Sequence, residues 1–188
     1  MNYIVVDLEA TCEENNRKFD NEVIEIGAVK YVRRVFDGPL TGPTSEFSEF
    51  VRPVVNPKLS DFCTSLTSIK QEDVDKARFF PRVYNDFIEW CQEGADDFWL
   101  ISWGQYDKNQ LIKDCARHMM SDIDLANHVN IKREFARIHE LSPNKARIGV
   151  SKALFKTGLR FEGVQHRGID DSRNIGRIFE IIFDRMVF

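Results

Sequence analysis

The sequence has no C-x-x-C pair, no long apolar run, no internal repeat, no low-complexity tract and no surplus of positive charge. Each absence removes a class of protein. The four cysteines, Cys12, Cys63, Cys91 and Cys115, are scattered, which speaks against a zinc site or a disulfide scaffold and for reduced, buried or half-buried thiols. No stretch approaches the roughly 20 consecutive apolar residues that span a bilayer. The first residues carry neither the basic segment nor the apolar core of a secretory signal, because Asp7 interrupts the run early. A cytoplasmic protein with no membrane partner is the expectation. With 26 Lys and Arg against 30 Asp and Glu, the formal charge is −4. Taken alone, that disfavours a general nucleic-acid binder.

What is present fits one globular domain over 1–188. The chain is 43% hydrophobic and 30% charged, long enough for a sizeable core and too apolar for disorder. "YIVV" at 3–6 is a β-branched run that predicts a buried strand. "EVIEIGAVKYVRRV" alternates as a second strand, "PLTGPTSE" predicts a Gly/Pro turn, and "FSEFVRPVV" a third strand. Short connections between the three predict an antiparallel meander. "SLTSIKQEDVDKA" predicts a loop and then a short helix. "FFPRVYNDFIEWCQEG" spaces its apolar residues at helical intervals, with Gly94 as a stop. "DFWLISW" predicts a fourth strand, followed by a helix over 107–119. Further helices fit 131–141, 148–159 and 169–186. Strands first, then strands alternating with helices, predict an α/β domain with a mixed central sheet.

The first strand ends in Asp7 and Glu9. Side chains two apart share a face of a strand, so two like charges are forced together, and burial makes their repulsion worse. Acids near helix starts have a simpler explanation, since they complement the helix dipole, and Asp107 or Asp170 alone is served by it. Asp7 and Glu9 have no dipole partner, and their repulsion is best relieved by a hard divalent cation with oxygen ligands. "SWGQYDKNQL" places Asp107 at a helix start, and "QHRGIDDSRNIGRI" places His166 five residues before Asp171.

These blocks carry a resemblance. "VVDLEATC", "EVIEIGAV", the stretch "FVRPVVNPKLSDFCTSLTSIKQEDVDKA", "SWGQYDKNQL" and "HRGIDDSRNIGRI", in that order, resemble the DEDDh-type 3′–5′ exonucleases. Those enzymes have a ribonuclease H-like fold, a mixed β-sheet of an antiparallel meander plus parallel strands flanked by helices. Within them the chain is most similar to the enhancer-of-RNA-interference exoribonuclease branch and its bacterial relatives. Ser68 departs from the glycine that relatives often carry in that loop. The resemblance implies two divalent ions, Mg²⁺ or Mn²⁺, held by Asp7, Glu9, Asp107 and Asp171. Asp7 would bridge both ions, Glu9 and Asp171 would complete the site that holds the attacking water, and Asp107 would hold the second ion. His166 would take the proton from that water. Family spacing selects Asp171 over Asp170, and only one of two adjacent helical residues faces inward. His118, His128 and His139 lack acidic company. Glu25 fits the cleft or the surface equally.

The implied reaction is hydrolysis of phosphodiester bonds from the 3′ end of single-stranded RNA, or short overhangs, with release of nucleoside 5′-monophosphates. A DNA-directed 3′–5′ exonuclease is the alternative, and a catalytically silent nucleic-acid-binding module a distant one. The expected partner is single-stranded nucleic acid, RNA ahead of DNA, with the oligomeric state left open. Leu8, Ala10, Thr11, Leu66, Trp103 and Tyr106 flank the acidic blocks and are candidates for a wall against the terminal nucleotide, although each also fits a core. From 131 to 160 the bases Lys132, Arg133, Arg137, Lys145, Arg147, Lys152, Lys156 and Arg160 face only Glu134 and Glu140. This local excess could follow a phosphate backbone, but on charge alone a solvated helical surface is the favoured reading.

Overall fold

The computed structural model describes residues 1–16, 18–35, 38–142 and 146–188. In chain order these form β1 (Asn2–Ala10), β2 (Val23–Val32), β3 (Thr41–Arg52), α1 (Asp61–Thr67), α2 (Gln71–Lys76), β4 (Arg78–Phe79), α3 (Phe80–Gln92), β5 (Phe98–Ser102), α4 (Tyr106–Arg117), β6 (His128–Asn130), α5 (Ile131–Ile138), α6 (Val150–Lys156) and α7 (Gly168–Ile182). The sheet order is β4-β3-β2-β1-β5-β6. β1, β2 and β3 pair antiparallel, whereas β5 lies parallel to β1 and β6 parallel to β5. The expected mixed sheet, a meander joined to parallel strands, is what the chain forms.

Alternation along β1 decides which side of the sheet each residue serves. Ile4, Val6 and Leu8 pack with α3 and α4 through Val83, Tyr84, Phe87, Leu111 and Cys115. Tyr3 and Val5 pack with α5, α6 and α7 through Phe135, Leu154, Ile175, Ile178 and Phe179. Asp7 and Glu9 continue the second series. They therefore emerge on the α7 face where the apolar packing ends, and α7 begins beside them.

The backbone of α7 lies directly on the sheet there. A Cβ added to Gly27 would fall 2.0 Å from the carbonyl carbon of Gly168, and one added to Gly168 would fall 2.9 Å from the carbonyl oxygen of Asp7. Only glycine permits so close an approach.

Three sequence expectations are corrected. "PLTGPTSE" is not a turn throughout: β3 begins at Thr41, which pairs with Val32. Among the described residues β4 reaches only Val51 and Arg52 of β3, so Pro43 lies on an open edge where its missing N–H breaks no ladder bond. "SLTSI" is not wholly loop, because α1 runs to Thr67, with the Ser60 side chain accepting from the Cys63 N–H at 3.0 Å. β4 and β6, of two and three residues, are too short for periodicity to reveal. Ser68 caps α1 with a φ of 61°, the left-handed conformation that glycine adopts without strain.

Candidate active site

Three elements converge at the end of β1. Asp7 and Glu9 come from β1, and Asp171 from the first turn of α7. One oxygen from each of the three lies within 4.8 Å of the others. Asp170 turns away: its carboxylate accepts from the Val164 N–H at 2.9 Å and pairs with Arg173 at 2.9 Å. Asp107 enters from the opposite side of the sheet, at the start of α4, and its Oδ1 accepts from the Leu8 N–H at 3.1 Å. It stands outside the three-carboxylate group, yet it is the strongest charge acting on Asp7.

Electrostatics records the crowding. Burial pushes the Asp7 carboxyl well above the usual range, and Asp107, Asp171, Glu9 and Glu25 push it further. Burial, then Asp171, Glu25 and Asp107, raise Glu9 to about 8, against a smaller opposing pull from Arg167. Asp107 is raised to about 6 by burial, with the Leu8 N–H and the Ser102 hydroxyl opposing. Asp171 is also raised by burial, opposed by the backbone N–H and the side chain of His166. Clustered carboxylates strained toward protonation, with oxygen-only donors, fit a hard divalent cation. Asp7, Glu9 and Asp171 would hold it, with Asp107 beside them.

His166 stands in an exposed loop just before α7, at φ 61°. Its backbone N–H donates to Asp171 Oδ2 at 2.7 Å. One carboxylate thus faces Asp7 and Glu9 and also holds the turn that presents the imidazole. Glu25, which the sequence left between cleft and surface, is buried. It pairs with Arg167 at 3.2 Å and accepts from the Gly168 N–H at 3.1 Å, so it anchors the N-terminus of α7.

The remaining candidates divide. Leu8 and Ala10 are buried, Leu8 in the core on the α3 and α4 face. Thr11 is buried, and its hydroxyl accepts from the Glu22 N–H at 2.9 Å. Trp103 is half-buried, donating through Nε1 to Ile148 O at 3.1 Å. Tyr106 and Leu66 remain exposed, at 53% and 37%. Sequence reasoning missed Phe62, exposed at 38% one turn before Leu66 on the same face of α1. The spacing in "DFCTSLT" signals that face once α1 is known to be helical. Two anchors hold α1 over the end of β1, from the Ser60 hydroxyl to Cys12 O and from the Cys63 thiol to Ala10 O. Ser102 was also missed. Its hydroxyl shares a 2.9 Å hydrogen bond with His128 Nε2, and burial, then Lys108, lower that imidazole to about 4.

A mixed sheet with carboxylates gathered from β1, α4 and α7, and a histidine poised on the last of them, has ribonuclease H-like architecture. The sequence pattern of the exonuclease family RNase T matches residues 4–179, and the chain belongs to that family, whose DEDDh members use divalent metals. It is 32% identical to 3′-5′ exoribonuclease 1 of Mus musculus over 181 residues, covering 93% of this chain and 50% of that protein. It is 32% identical over 199 residues to the 3′-5′ exonuclease eri1 of Schizosaccharomyces pombe, covering 93% of this chain and 65% of that one. The chain thus spans about half the length of the mouse relative. A crystal structure of the nuclease domain of 3′hExo, a DEDDh family member bound to rAMP, superimposes with a TM-score of 0.85 at 30% identity. That match covers 98% of this chain and 92% of that one.

Proposed function

We propose that this protein is a 3′–5′ exoribonuclease that shortens single-stranded RNA, or short overhangs, from the 3′ end and releases nucleoside 5′-monophosphates. The observation that carries the reading is the meeting of Asp7, Glu9 and Asp171 within 4.8 Å, with His166 held by the last of them. Two divalent cations, Mg²⁺ or Mn²⁺, would supply charge neutralisation at the scissile phosphate and acidify the attacking water. Asp7, Glu9 and Asp171 would hold those cations, with Asp107 beside them. His166 accepts the proton of the attacking water, a task imidazole suits near neutral pH. Phe62 and Leu66 offer the terminal base a flat apolar wall. Stacking of that kind tolerates any base and favours an unpaired end, because extracting a paired nucleotide costs unstacking energy. The names of the relatives support RNA over DNA.

The test uses matched 5′-labelled RNA and DNA oligonucleotides, single-stranded and as blunt duplexes, with Mg²⁺, Mn²⁺ or EDTA. A ladder shrinking from the 3′ end on single-stranded RNA, abolished by EDTA, is expected. Cleavage in EDTA, removal from the 5′ end, or equal rates on blunt duplex and single strand would refute the reading. Faster degradation of DNA than of RNA would move the assignment to the DNA-directed alternative.

A further inference from the structure

We propose that a cavity beside His166 is a second binding site, which takes the nucleotides lying 5′ of the scissile bond in a single-stranded substrate. The inference rests on the nuclease reading above. The cavity has a volume of about 740 Å³ and ends at His166 and Asp171. Ile148 and Val150 give it an apolar floor, and Arg147, Lys152 and Lys156 give it cationic walls. Among the described residues none of these three forms an ion pair or a side-chain hydrogen bond. Arg137, Arg167, Arg173 and Arg177 elsewhere are each paired with a carboxylate. The basic run noted in the sequence therefore divides. Arg137 is spent on Glu134, Lys145 lies outside the described residues, and three cations converge without partners on the flank of the acidic site.

A polyanion needs such a flank. The site concentrates Asp7, Glu9, Glu25, Asp107 and Asp171, and the whole chain carries −4. A strand whose 3′ end enters those acids is repelled along the rest of its length unless the local sign reverses. The cavity supplies that reversal where the strand leaves His166. α6 also carries an exposed aromatic. Phe155 is 80% exposed, and its spacing from Ser151 and Lys152 puts it on their face of the helix. The Ser151 hydroxyl accepts from Gln165 Nε2 at 3.0 Å, which ties that face to the loop bearing His166. Cations beside an open aromatic form the usual platform for single strands, with phosphates held by charge and bases by stacking. Neither contact reads sequence. The site therefore selects for length.

The experiment compares KM for a dinucleotide and an octanucleotide in Mg²⁺, for the unaltered protein, for Phe155→Ala and for the triple variant Arg147→Gln, Lys152→Gln, Lys156→Gln. The octanucleotide is expected to have the lower KM by about tenfold or more, and each variant to move it toward the dinucleotide value. The triple variant should also flatten the log KM against log salt slope by about 2, because each phosphate contact on a single strand contributes about 0.7. A folding defect would not change that slope. Cleavage of both substrates with equal KM, or variants that keep both the length advantage and the salt slope, would overturn this inference and leave the nuclease reading intact. Cleavage of neither substrate would overturn the nuclease reading and this inference with it.

Discussion

Among single residues, Asp171 has two tasks and His166 one. The Asp171 carboxylate stands with Asp7 and Glu9 and also accepts the His166 N–H at 2.7 Å. The two tasks separate by substitution. Asp171→Asn keeps an oxygen for that N–H but loses the charge that holds a cation. Asp171→Ala loses both and frees the turn. His166→Ala should leave divalent-cation affinity near that of the unaltered protein while lowering turnover by about 10²–10⁴-fold, the usual contribution of a general base. Mn²⁺ titration with turnover measured at saturation checks the set. Cation affinity should fall in both Asp171 variants and hold in His166→Ala. A His166→Ala protein with full turnover would remove the imidazole from the mechanism.

At the level of elements, the site depends on how α7 meets the sheet. Gly27 in β2 and Gly168 at the start of α7 touch backbone to backbone. Glu25, two residues before Gly27 and on the same face of β2, accepts from the Gly168 N–H. The contact therefore sets the height at which Asp171 stands over Asp7. In Gly27→Ala the new methyl would meet backbone atoms 2.0 Å and 2.1 Å away, which have no rotamer to yield. α7 must lift. The expected cost is about 1–3 kcal/mol or more, seen as a fall in Tm of several degrees, together with a loss of activity out of proportion to the stability lost. A Gly27→Ala protein with unchanged Tm and rate would show that α7 is not held by this contact.

For the molecule as a whole, the acidic cluster makes stability depend on pH and on cations together. Glu9 is held at about 8, above the ordinary carboxylate range. Between that range and about pH 8 the folded protein holds a proton that the unfolded chain releases, so stability falls as pH rises through the window. His128 acts in the opposite sense. Its depressed value, about 4, makes stability rise with pH up to the ordinary imidazole range, which confines a clean test to pH 6.5 and above. In EDTA, Tm should drop by several degrees from pH 6.5 to 8.5, for a loss of about 2 kcal/mol. Millimolar Mg²⁺ or Mn²⁺ should reverse the trend, because cations bind the deprotonated cluster and stabilise by mass action. Thermal melts at the two pH values, with and without cation, read this directly. A Tm in EDTA that rises across the window would mean the carboxylates are not strained.

The sequence by itself determined what local geometry can carry. Alternation in "YIVVDLE" placed Asp7 beside Glu9, and helix periodicity placed Asp107 and Asp171 in the first turns of α4 and α7. The spacing of His166 to Asp171 survives folding because one short loop and one turn contain both. Only the tertiary structure decided the relations between distant segments. It buried Glu25 under Arg167 and put Asp107 against the Leu8 N–H, 99 residues away. It drew 41–46 into β3 by pairing with β2, and turned Leu8 into the core while leaving Phe62 and Leu66 exposed. The cavity beside His166 likewise joins residues of 141–156 to 165–171. Short strands, backbone contacts through glycine and the pairing of charges draw their energy from neighbours remote in the chain. A local window of sequence contains no record of those neighbours.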